Sequence, residues 1–137
     1  MKAAPAARPP RTAPAFLLDS HVLLWLSSDL KRIPAAVIRQ LDAAPEVYFS
    51  AASAWELALK QSLGKLEMSG SISEFAAQAG LEELPISTRH AEAAARLPWH
   101  HRDPFDRLLV AQARLEQLVL VTADTRLASY DVAILRV

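Results

Sequence analysis

The chain has 137 residues and a mass of 15.0 kDa, the length of one domain, and 52% of its residues are hydrophobic, so it can bury a real core. It contains no cysteine, which excludes a disulfide scaffold, a thiolate zinc site and a cysteine nucleophile. Lys plus Arg and Asp plus Glu each total 15, so the zero net charge excludes nucleic-acid coating by bulk charge, though not a local basic rim.

Residues 1–14 hold four of the nine prolines and are expected to form an extended, disordered tail, leaving 15–137 as the folded domain. A secretory signal does not fit, because Asp19 and His21 break the apolar stretch that would be its core. No run approaches the roughly 20 apolar residues of a membrane span, so a cytoplasmic protein with no membrane partner is expected.

Ala15–Leu18 is a short apolar run ending at Asp19, and the following HVLLWL has helical spacing. Pro34 suits a first helical turn, and AAVIRQLDAA continues as an amphipathic helix. Val47–Phe49 is predicted as a buried strand, followed by a helix in SAASAWELALKQSLGKL with Trp55, Leu59 and Leu63 on one face. Ser71 to Glu74 has the capping-box pattern of a short helix that Gly80 would end. Leu84–Ile86 is a possible strand, and Thr88–Leu97 an alanine-rich helix ended by Pro98. Asp103-Pro104 opens the helix FDRLLVAQARLEQ, LVLVT (118–122) is the clearest strand, and VAILRV finishes the chain as another. Short buried runs alternating with helices mean an α/β sandwich with a mainly parallel central sheet flanked by helices. The three glycines form no phosphate-cradling loop, so nucleotide-binding motifs are absent.

The carboxylates carry the chemical signal. Asp19 follows the first strand and Asp124 follows LVLVT, and in a parallel sheet such positions converge on the edge where ligands bind. Glu56 and Asp106 stand near the heads of helices that can point to the same edge. Four carboxylates in one cleft repel unless a divalent cation neutralises them, and hard cations such as Mg²⁺ or Mn²⁺ prefer oxygen ligands. Such a site suits hydrolysis of a phosphodiester.

Each acid also has an ordinary explanation. Asp19, Asp103 and Asp124 can cap the helices that follow them, Glu56 can pair with Lys60, and Asp106 can complement a helix dipole. On that alternative the chain is a noncatalytic partner-binding module. A receiver-like phosphotransfer switch is excluded, because Ser50 holds the second strand's end and no lysine lies beyond Glu67. His100 and His101 lack the helical spacing or cysteine partners of a zinc site. Trp25 and Trp55, among leucines at helical spacing, are expected in the core, whereas Trp99 is the exposed aromatic able to stack on a base.

Four phrases in order, FLLDSHVLLWL, SAASAWELALKQSLGKL, HHRDPFDRLLVAQA and LVLVTADTRLASY, resemble the PIN-domain ribonucleases, and among them the VapC toxins of type II toxin–antitoxin modules. The resemblance runs from about Phe16 to the C-terminus. It implies a PIN-like three-layer sandwich and a metal-dependent endoribonuclease whose acidic quartet falls on Asp19, Glu56, Asp106 and Asp124. Asp103 becomes a nearby helper or cap, and Ser20 and Thr122 become supporting hydroxyls. The resemblance further implies an RNA substrate, an inhibitory VapB-type antitoxin and a homodimer, with VLLWL a possible face for dimer or antitoxin. Lys60, Arg102, Arg107 and Arg126, the cations nearest the acids in sequence, are the candidates for a rim that meets the RNA backbone.

Overall fold

The computed structural model describes residues 11–137, so most of the expected tail lies outside the described residues. Its inner end departs from the expectation. Arg11 is anchored, its Nη1 donating to Glu46 Oε2 at 2.6 Å and its Nε and Nη2 donating to the Glu116 carbonyl. The guanidinium also lies over the Tyr48 ring, which adds a cation–π contact.

The sheet has five strands, β1 (Phe16–Leu18), β2 (Val47–Ser50), β3 (Glu82–Leu84), β4 (Val119–Thr122) and β5 (Ile134–Arg136), in the order β3-β2-β1-β4-β5. Every pairing is parallel, with Leu18 opposite both Phe49 and Val121. Parallel strands are covered on both faces, which is why FLL and VLVT are apolar without alternation. Phe16, Leu18, Phe49 and Val121 point into one core, which holds residues of α1 (Ser20–Ser28), α2 (Ala35–Ala43), α3 (Ala51–Ser62) and α4 (Ile72–Ala79). Leu17, Tyr48 and Leu120 point into the other, shared with α5 (Thr88–Arg96) and α6 (Pro104–Glu116). The result is the three-layer α/β sandwich with a parallel centre.

Local chemistry sets the ends of these elements. Ser71 caps α4 by accepting from the Glu74 N–H, and Gly80, at φ +73°, ends it in the left-handed conformation that glycine adopts without strain. Ser87 and His90 form a reciprocal capping box on α5 that the sequence pattern did not single out. The third strand is Glu82–Leu84 rather than Leu84–Ile86, because Tyr48, Phe49 and Ser50 of β2 pair with the residues that directly follow the α4 cap. Trp55 also differs from expectation. It faces outward at 64% exposure, on one face with Leu59 and Leu63 as expected, because α3 buries the opposite stripe of Ala52, Ser53, Glu56 and Leu57. Trp25 is half-buried. Among the described residues no helix is long and apolar enough to cross a membrane.

The strand order places β1 between β2 and β4, with the chain running outward first through β2 and β3 and then through β4 and β5. The crevice beyond the carboxyl ends of β1 and β4 is therefore the point where connections diverge to opposite sides, leaving an opening between them. Asp19 and Asp124 stand there.

Candidate metal and catalytic site

Asp19 begins at the end of β1, where its N–H donates to the Val121 carbonyl of β4 at 3.0 Å. The side chain is buried. Oδ1 accepts from the Val22 N–H at 2.8 Å and so caps α1, while Oδ2 accepts a short hydrogen bond from the Thr122 hydroxyl. Thr122 Oγ1 in turn accepts from the Asp124 N–H at 3.0 Å. One hydroxyl thus fixes the spacing of the two strand-end acids across the β1–β4 seam.

Asp106 lies in the first turn of α6, behind an N-cap formed by Asp103, whose Oδ1 accepts from the N–H groups of Phe105 and Asp106. Proline at position 104 costs no hydrogen bond in a first turn. Asp106 Oδ2 is 2.7 Å from His101 Nε2, and Asp124 Oδ2 is 4.0 Å from the same nitrogen. Ligand atoms of His101, Asp106 and Asp124 all lie within 4.8 Å of one another. Asp19 and Glu56 stand outside this tight group.

Glu56 is buried on α3. Its Oε2 accepts from Lys60 Nζ at 2.8 Å, and its Oε1 is buried with no hydrogen-bond partner. Such an orphan costs about 1–3 kcal/mol, more when charged. Two contacts hold α3 against the other site elements: Ser20 Oγ donates to Ser53 Oγ at 2.9 Å, and Trp55 packs edge-on to Phe105 with ring centroids 5.3 Å apart. Ser20 therefore acts on the helix that carries Glu56 and makes no bond to Asp19.

The electrostatics follow burial. Desolvation raises the Asp19 pKa above 3.8 against the opposing Thr122 and Val22 hydrogen bonds, and the charge of Asp124 adds to the rise. Desolvation also raises Asp106, opposed by the His101 hydrogen bond, with Asp103 and Asp19 repelling it further. Asp124 moves the other way, because Arg126 grips both of its oxygens at 2.8 and 3.0 Å. Asp19 senses the charge of Asp124 and Asp106 that of Asp19, and all four acids already hold a partner: Thr122 on Asp19, Lys60 on Glu56, His101 on Asp106 and Arg126 on Asp124. A buried carboxylate oxygen without a partner, two carboxylates destabilised by burial and a donor set of carboxylate oxygens, with His101 oriented behind Asp106, fit a hard divalent cation.

The candidate cations do not share one role. Arg107 is not a rim residue. It is buried, and its five hydrogen bonds go to the carbonyls of Ala94, Leu97, Pro98 and His101 and to the Tyr130 hydroxyl. A guanidinium offers five donors in a fixed fork, which is why this position ties the 97–101 loop to α6. Lys60 is partly exposed and Arg126 exposed, each beside the acid it pairs with, and Arg102 is exposed. The sequence reading missed one residue of this group. His101 stands beside the acids, whereas His100 packs on the Tyr130 ring. The core position of Arg107 was signalled by Val110 and Ala111, three and four residues on, which lie on the same buried face of α6.

Comparison with known proteins agrees with this fold. The PIN-domain family profile matches residues 16–133. The ribonuclease VapC22 of Mycobacterium tuberculosis is 32% identical over 117 residues, which cover 83% of this chain and 90% of that protein. A VapBC2 complex from Rickettsia felis, bound to a DNA fragment from their promoter, has the same fold with a TM-score of 0.66 at 13% identity, covering 89% of this chain and 98% of that one. A toxin–antitoxin complex from Klebsiella pneumoniae superposes with a TM-score of 0.61 at 20% identity, covering 88% and 95%. The chain belongs to the PIN-domain family, on the branch represented by the VapC ribonucleases.

Proposed function

We propose that this protein is a metal-dependent endoribonuclease, the toxin of a type II toxin–antitoxin module. The observation that supports it best is the meeting of Asp106 and Asp124 within 4.8 Å, with Asp19 tied to Asp124 through Thr122 and the buried, unpartnered Oε1 of Glu56 on a neighbouring helix. Capping explains one oxygen of Asp19 and one of Asp124, but it explains neither Glu56 nor Asp106. Relatives named as a ribonuclease and as toxin–antitoxin complexes favour RNA over other phosphodiesters and an antitoxin over other partners.

Asp19, Asp106, Asp124 and Glu56 would hold Mg²⁺ or Mn²⁺. When bound, the ion supplies a water of lowered pKa and shields charge developing on the phosphate. Thr122 keeps Asp19 oriented, and His101 fixes the rotamer of Asp106, as groups behind a ligand commonly do. Asp103 holds the first turn of α6 in place. Lys60 and Arg126, released from the acids once these face a cation, and Arg102 would meet the RNA backbone. Two surfaces supply apolar area for the antitoxin and the homodimer: the exposed Trp55, Leu59 and Leu63 stripe, and a groove of about 450 Å³ that includes Leu26, Leu30 and Phe75.

The test is incubation of the purified protein, free of antitoxin, with folded RNAs in Mg²⁺, Mn²⁺ or chelator, beside Asp19→Asn. Discrete metal-dependent fragments, absent with the variant, are expected. A folded protein that neither binds Mn²⁺ nor cuts RNA would return the acids to helix capping and the chain to a partner-binding module.

A further inference from the structure

Trp99 is the most exposed large apolar side chain of the described residues, at 71%, yet it is not loose. Its ring lies over the buried Arg107 guanidinium, whose central carbon is 3.7 Å from the ring centroid. Arg107 is itself held by five hydrogen bonds to neutral acceptors, so one indole face is clamped on a fixed cation while the ring remains largely open to solvent. A large apolar ring in water contributes nothing to folding on its open side, and here it is ordered in advance. Trp99 and Arg102 line a depression of about 200 Å³ walled by Ala94, Ala95, Pro104 and Arg107. The small alanines leave room beside the ring. Trp99 stands two residues before His101, whose Nε2 is 2.7 Å from Asp106 Oδ2, so one short loop joins the depression to the acidic crevice.

We propose that Trp99 is a stacking platform for one unpaired nucleobase next to the scissile phosphate, with Arg102 contacting the adjoining backbone phosphate. This rests on the RNA reading above and adds to it a demand for single-stranded character at the cleavage site. A ring-sized hollow with a cation at its rim suits a base and its phosphate better than it suits an extended apolar peptide. Every nucleobase offers a π-face, so the platform selects unpaired over paired RNA rather than one sequence.

The test uses the full chain carrying Asp19→Asn to prevent cleavage, titrated with a labelled single-stranded 12-mer RNA and with a duplex of the same length. Adding Trp99→Leu should weaken single-strand binding about tenfold and leave duplex binding unmoved, while Trp99→Phe retains most of the affinity. Arg102→Gln should lower the salt dependence of binding by about one charge. In a Trp25→Phe, Trp55→Phe background, where Trp99 alone emits, saturating single-stranded RNA should quench its fluorescence. That measurement needs no change at Trp99. Unchanged emission, or equal affinities for Trp99→Leu and its parent, overturns the platform even where the wild-type protein cleaves RNA. Quenching by a protein partner but not by RNA overturns it as well. Failure of every form to bind or cut RNA removes the nuclease reading and the platform together.

Discussion

Arg107 offers a sharp test of the packing argument, because its two possible roles predict opposite results. A rim arginine can be replaced with little loss of stability and a loss of RNA affinity. The buried Arg107 predicts the reverse for Arg107→Met, which keeps length and apolar volume and removes all five donors. Two of the orphaned acceptors, the carbonyls of Ala94 and Pro98, lie in part-buried bonds and can turn to water. The His101 carbonyl retains the Tyr130 hydroxyl at 3.4 Å, leaving the buried Leu97 carbonyl as the group with no replacement. One unsatisfied buried carbonyl at about 1–3 kcal/mol, together with a lost cation–π contact of roughly 0.5–2 kcal/mol, gives a loss near 3 kcal/mol. Relief from burying a cation offsets part of the loss of its charge-assisted bonds. For a domain of this size that is a fall in Tm of about 10 °C, measurable by thermal denaturation monitored by circular dichroism. Because the same bonds hold the 97–101 loop, Mn²⁺ affinity should fall with it. A Tm within about 3 °C of wild type, coupled to weaker RNA binding, would refute the structural role and restore Arg107 to the rim.

Asp19→Asn should abolish cleavage and stabilise the metal-free protein in chelator, because burial disfavours the charge it removes; a lower Tm would show that its α1 cap dominates. The folded-state pKa values of Asp19 and Asp106 are raised above 3.8, so the folded state binds more protons, and metal-free stability should decline as pH rises through that window. Asp124 acts with the opposite sign, adding stability above 3.8 that is lost as pH falls through its lowered pKa. Urea titrations across acid pH would separate the two, and Asp19→Asn should flatten only the upper slope. Glu56→Gln should weaken Mn²⁺ binding about tenfold by calorimetry and shrink the Mn²⁺-induced rise in Tm, whereas an unchanged affinity would place Glu56 outside the site. Arg11→Ala should lower Tm by a few degrees through loss of its Glu46 and Glu116 contacts, and an unchanged Tm would mean that segment adds nothing to the fold.

Strands and helices were readable wherever burial wrote a one-dimensional pattern. FLL, VYFS and VLVT are apolar because both faces of a parallel strand are covered, and Asp103-Pro104 and Gly80 mark helix ends through backbone geometry alone. The α3 stripe misled because Trp55, Leu59 and Leu63 share a face whatever that face meets. Spacing shows that a stripe exists, and only the fold shows that Ser53 and Glu56 point inward instead. His101 escaped for a related reason. Its partners Asp106 and Asp124 are five and twenty-three residues away, joined across a loop and a strand end, and no local spacing encodes that meeting. The edge strand β3 was displaced because EEL is a weak strand signal that pairing with β2 overrides.

Capping and metal binding are competing explanations of the same acids on the face of it, but under the proposed function they are compatible uses of one side chain. A carboxylate has two oxygens and about four lone-pair directions, and a backbone N–H at a helix end takes one of them. Asp19 gives Oδ1 to Val22 and Oδ2 to Thr122, and Asp124 gives Oδ1 to the Arg126 N–H. The caps fix each carboxylate on the backbone, so the remaining directions are aimed before any ion arrives. The contacts that a bound ion would displace are side-chain ones on exposed or half-exposed arms, Arg126 on Asp124 and Lys60 on Glu56. Those bonds are weak in water-accessible surroundings, and breaking them would free two cations beside the crevice for a phosphate. The reasoning separates the caps from the arms experimentally. Arg126→Gln should raise Mn²⁺ affinity by removing a competitor while weakening RNA binding, and a variant that lowers both would show that Arg126 supports the metal site instead of competing with the ion.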